Sequence, residues 1–243
     1  MSEHEKTLPH LSIIITMCLQ NDFIRKLDDI PNSEWKIFPQ GVHISEDETT
    51  RLWSNNLDGF IDEIMQIGKK FESDESNNAQ YFHFIHIRDW HDDTDPSISV
   101  QKELATYGLH CIKGTEGARF IQPLENYIRL YRTLNLVVNS NSLNSFVETD
   151  LDLHLNSIAE IKGCSKGQIT IGIIGVATNI KILFLIYDLV VRFGYTNVYL
   201  CDDLCAAFDA GSHVQGLAFI ENILGIEHLN LEDFREKLNI SNY

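Results

Sequence analysis

Five short apolar runs, rich in β-branched and aromatic residues and separated by helical patterns, constrain this sequence more than any other feature. They cover residues 11–17 (LSIIITM), 81–87 (YFHFIHI), 134–138, 168–174 and 198–201, and a weaker sixth follows Gly225. A strand with one wet face alternates apolar and polar side chains. Most of these runs are apolar throughout, so they read as strands covered on both faces, as in a parallel sheet. Helical periodicity falls between them, over 50–71, 147–155, 179–192 and 212–224. The alternation predicts an α/β fold: a doubly wound, mostly parallel open sheet with helices on both faces. Sheets of this kind place their site beyond the carboxyl ends of the strands. At 243 residues, one such domain accounts for the whole chain, 1–243.

Two segments break the pattern. Residues 25–48 form a polar, irregular insertion after the first strand, placed to cover a cleft or extend an interface. Residues 72–80 (ESDESNNAQ) read as an acidic surface loop. Nineteen Lys and Arg stand against 35 Asp and Glu, a formal charge of −16. Nucleic acid and anionic membranes recruit basic patches, so neither is expected as a partner. The longest apolar run, around 180–191, contains Lys181 and Asp188 and is too short to span a bilayer. The opening MSEHEKTLPHL lacks the basic and apolar regions of a secretory signal. The five cysteines show no CxxC spacing, which argues against a zinc finger and fits a reduced, cytoplasmic setting.

Chemistry gathers after the strands. MCLQNDF follows the first, and RDWHDDTDP, then LHCIKGTEGARF, follow the second. NSNSLNSF follows the third, GVATNIK the fourth, and CDDLCAAFDAGSH the fifth. Asp89, His91, Asp95 and His110 form a candidate metal set of mixed N and O donors, suited to one divalent ion of zinc, manganese or iron. The same residues would serve equally as polar groups of a surface loop. Lys113 and Arg119 are near enough in sequence to pair with the carboxylates instead. Lys181 is a further oddity, because the start of a helix is electropositive and disfavours an ammonium.

Together these motifs resemble the isochorismatase-like cysteine hydrolases, and among them the nicotinamidases most of all. CLQNDF matches the family's opening motif except at its first position. RDWH (88–91), HCIKGTEGA (110–118), GVATNI (175–180) and DDLCAAFD with His213 beyond it match the rest, over about residues 11–231. The resemblance implies carboxamide or vinyl ether hydrolysis, a metal held by one Asp and three His, with Asp95 in place of one His, and self-association into a homo-oligomer. It also places Trp90 and Ala177 against a small-molecule ligand.

The implied triad of Cys, Lys and Asp is absent. Its acid falls at Cys18, its lysine at Asn139 or Ser140, and its nucleophile at Lys181. Cys111 and Cys205 fall where family members carry other, non-catalytic cysteines. The expectation is therefore a degenerate hydrolase acting in small-ligand binding, regulation or assembly. The alternative is an active amidohydrolase that uses a metal-activated water, or an exchanged pair in which Lys181, its pKa lowered by burial, serves as nucleophile or as base to Cys18.

Overall fold

The computed structural model describes residues 10–26, 42–73 and 80–240. Most of the 25–48 insertion and of the 72–80 loop lies outside the described residues. Six strands form one sheet in the order β3-β2-β1-β4-β5-β6, and every pairing is parallel. They are β1 (His10–Met17), β2 (Gln80–Asp89), β3 (Asn135–Ser140), β4 (Ile169–Val176), β5 (Asn197–Ala206) and β6 (His228–Leu229). β4 is buried at all eight positions and β1 at its last seven, as their apolar composition requires of central strands.

The chain winds outward from β1 to β3, then returns to the centre and winds the other way from β4 to β6. Right-handed crossovers in opposite directions send the helices to opposite faces. Thus α3 (Leu57–Ser73) packs with α5 (Gln122–Leu130), and α7 (Leu183–Tyr187) packs with α8 (Ala210–Leu224). α7 is continuous with wider, π-type turns over Thr178–Ile182 and Asp188–Arg192. α9 (Leu231–Lys237) closes over β4, where Phe234 and Leu238 occupy the space that Gly172 leaves open.

Several elements differ from the sequence reading. The helix expected over 50–71 is two: α2 (Glu46–Ser54), capped by Ser45, and α3. Asn56 separates them at a left-handed φ of 74°, a conformation that asparagine tolerates better than most residues. The helix expected at 147–155 begins later, as α6 (Leu151–Lys162). α4 (Ile98–Tyr107), α5 and α9 were not expected.

The direction of winding reverses between β1 and β4, which creates the crevice where open α/β sheets bind ligands. Gly175 makes that junction possible. It sits at φ 121°, and a Cβ there would lie 2.0 Å from the Met17 carbonyl oxygen of β1. The carboxyl ends of β1, β2 and β4 therefore deliver Cys18, Asp89 and Ala177 to one place.

Candidate active site and metal centre

The QND of CLQNDF is a clamp on the backbone. The Gln20 amide donates to the carbonyls of Asp89 (2.8 Å) and Ala118 (2.9 Å), and its oxygen accepts the Asp89 N–H at 2.7 Å. Asn21 donates to the Glu116 carbonyl at 2.9 Å. Asp22 accepts the Cys111 N–H at 2.7 Å, and a Cβ on Gly117 would lie 2.0 Å from its carboxylate. These residues tie the β1 end to the β2 end and to the 110–118 loop. They set the site's geometry without presenting a reactive group.

Within that frame Asp89, His91, Glu103 and His110 come together, all buried, each offering one donor atom within 4.8 Å of the others. His91 Nε2 lies 3.8 Å from Asp89 Oδ2 and 3.7 Å from Glu103 Oε1. His110 Nε2 lies 3.7 and 3.9 Å from the same two atoms. These separations exceed hydrogen-bonding reach and approach the spacing of ligand atoms sharing one cation through bonds of about 2 Å. The His110 Nδ1–H donates to the Gly108 carbonyl at 2.8 Å, so in the neutral imidazole Nε2 is the lone-pair nitrogen and faces the cluster. Asp89 Oδ2, Glu103 Oε2 and both ring nitrogens of His91 lack hydrogen-bond partners. Orphaned buried acceptors of this kind fit a divalent cation.

Asp95, expected in this set, is elsewhere. Its carboxylate accepts the Ser97 N–H at 2.8 Å, an Asp-Pro-Ser turn leading into α4. Glu103 supplies the fourth donor from α4, where Val100, Glu103 and Leu104 share the buried face. Lys113 pairs with Asp92 and Arg119 with Glu116, both at the surface, so neither neutralises the cluster.

The cation that does reach it is Lys181. Its ammonium donates to Asp89 Oδ1, lies 3.3 Å from Glu103 Oε1, and donates to the Ser142 carbonyl at 3.1 Å. Burial alone would lower the Lys181 pKa, but the carboxylates and the Cys18 thiol outweigh it and raise the value above the ordinary lysine range. Burial alone would raise the Asp89 carboxyl, but Lys181, with the imidazoles assisting, holds it well below the carboxylate range. Glu103 goes the other way, pushed up by burial and by Asp89 against the pull of Lys181. The expectation of a lysine with depressed pKa is therefore corrected. Its head is buried and meets two carboxyl groups, which favour the charged form.

Cys18 fares no better as a reactive group. It is 1% exposed, at a left-handed φ of 50°, and burial together with Asp89 pushes its thiol well above the usual range. The other four cysteines are also buried, and none forms a disulfide. Asn139 accepts from Arg88 and Ser140 donates to Ser142, so neither supplies a base. The Arg88 guanidinium stacks 3.8 Å from the Trp90 ring centroid, and Trp90 does not line the cavity. Ala177 does, with Cys18, Phe23, Glu103, Tyr107, Lys181 and Phe208 among its neighbours. Tyr107 and Phe208 stack at 5.9 Å.

The isochorismatase domain model matches residues 55–226, most of this fold and every cluster residue. The chain belongs to the isochorismatase domain family. Solved members of similar fold include a nicotinamidase/pyrazinamidase from Bacillus subtilis, 18% identical, with a TM-score of 0.63 over 90% of this chain and 99% of that one. A pyrazinamidase/nicotinamidase from Streptococcus mutans is 19% identical, with a TM-score of 0.62 over the same shares. A zinc complex of Pyrococcus horikoshii pyrazinamidase is 18% identical, with a TM-score of 0.56 and, again, 90% and 99% coverage. No curated protein sequence matches the chain. Among the described residues of this family member, no helix is long and apolar enough to cross a membrane.

Proposed function

We propose that this isochorismatase-family chain is a catalytically degenerate hydrolase, whose cleft serves small-ligand or ion binding, regulation or assembly rather than carboxamide cleavage. One observation carries the reading: Lys181, which the family resemblance puts at the nucleophile's position, is buried and paired with Asp89 and Glu103 as an ammonium. A protonated amine has no lone pair with which to attack a carbonyl or accept a proton from Cys18. No thiolate stands beside it, since burial and Asp89 favour the neutral Cys18 thiol. Five buried cysteines without a disulfide among them suit a reduced compartment, and the family resemblance carries the expectation of self-association.

A second reading rests on the orphaned donors of the cluster. Asp89, His91, Glu103 and His110 would hold a divalent cation, which would supply Lewis acidity for an amidase reaction. The zinc-bound pyrazinamidase neighbour supports the same donor chemistry. Ammonia release from nicotinamide, pyrazinamide and N-carbamoyl amides by metal-supplemented protein decides between the two. The expected result is no turnover above the buffer rate. Turnover lost in Lys181→Ala makes Lys181 catalytic and overturns the proposal. Turnover kept in that variant but lost on chelation selects the second reading.

A further inference from the structure

The cluster faces two rival cations. Asp89 divides its carboxylate between them: Oδ1 accepts from Lys181, while Oδ2 faces both imidazoles and has no hydrogen-bond partner. Glu103 Oε1 stands between Lys181 at 3.3 Å and His91 at 3.7 Å. We propose that Lys181 is the resident counter-cation of the Asp89–His91–Glu103–His110 site and holds its affinity for divalent metal down. This rests on the reading of Lys181 as a paired ammonium and deepens it, since the ammonium then has a measurable task besides the loss of nucleophilic chemistry.

Charge counting gives the reason. A bound divalent ion takes its imidazole ligands neutral and its carboxylate ligands ionised, a ligand charge of −2 that the ion cancels. With the ammonium also in place the buried site carries +1, and like charges a few ångströms apart in so dry a setting repel strongly. Lys181 also blocks the second oxygen of Asp89. A bound ion therefore favours withdrawal of the ammonium from Asp89, and the Ser142 carbonyl, 3.1 Å away and two residues past the end of β3, already offers it one other partner. The donor set is suited to zinc, yet the chain carries a built-in competitor for it.

Zinc binding, measured at pH 7 by competition with a chromophoric chelator and without substrate, tests this. Lys181→Met is expected to bind zinc at least about 100-fold more tightly than the wild type, which corresponds to about 2.7 kcal/mol. The gain should vanish in Lys181→Met/His91→Ala, which lacks one ligand of the cluster. Equal affinities in wild type and Lys181→Met overturn the proposal, and so does a gain that survives loss of His91. Should Lys181→Met fail to fold, Lys181→Gln keeps a hydrogen-bonding head without the charge and carries the same expectation. Carboxamide turnover by the wild type would overturn the functional reading, whereas equal zinc affinities would overturn this one alone.

Discussion

Replacing Lys181 with Met in metal-free protein lowers stability at pH 7 by about 3–5 kcal/mol, the usual cost of removing one partner from a buried ion pair. The loss follows from what remains behind. Asp89 is fully buried, Glu103 is 4% exposed, and among the described residues Lys181 is the only lysine or arginine paired with them. A helix start disfavours a lysine by only about 0.3–1 kcal/mol, so the field that makes Lys181 look misplaced in sequence is the smaller effect. The pH dependence has a definite sign. A lysine whose folded pKa is raised contributes its full stability below its unfolded value of about 10.4, and the contribution is lost as pH rises through the folded value. Asp89, held low, loses its contribution only in acid, as pH falls below the unfolded carboxyl value towards the folded one. Urea denaturation of wild type and Lys181→Met with chelator present measures the difference. A change below about 1 kcal/mol would mean that the ion pair is not holding the site together.

Gly175→Ala is expected to be at least as damaging, by a different route. The added Cβ would lie 2.0 Å from the Met17 carbonyl oxygen and 2.9 Å from the Met17 nitrogen, all backbone of the adjoining central strand. No rotamer change relieves a backbone clash, and φ 121° is itself unfavourable for any residue with a Cβ. β1 and β4 would have to separate at the point where the sheet changes direction. The expected cost exceeds about 4 kcal/mol, beyond the range of most single substitutions. Loss of soluble, cooperatively unfolding protein is the readout. Gly194→Ala makes a suitable control, because its φ of 72° is also positive but no atom stands within 4 Å of its Cβ position. A Gly175→Ala protein as stable as Gly194→Ala would show that the junction yields.

The central strands were legible because burial on both faces writes itself as unbroken apolar sequence, as in SIIITM and ITIGIIGV. α4, α5 and α9 were not, being ten, nine and seven residues long. That omission hid Glu103. Its signal was present in QKELA, a run of good helix formers that sets Val100, Glu103 and Leu104 at i, i+3 and i+4. Asp95 stands close to His91 in sequence, but a residue followed by Pro and Ser caps a turn more readily than it reaches inward. The oddity of Lys181 was visible at once. Its partner was not, because the pair joins residues 92 apart and exists only once β2 and β4 end at the same crevice.

The most direct measurement is the titration of Lys181 itself, by NMR of its side-chain εCH2 and ammonium groups in metal-free protein. The expected result is a single slowly exchanging ammonium that stays protonated through the range, near pH 10.4, where exposed lysines titrate. A Lys181 that loses its proton near neutral pH would be a free amine. It would be available as a nucleophile or base, and the reading of this site as a closed ion pair would be contradicted.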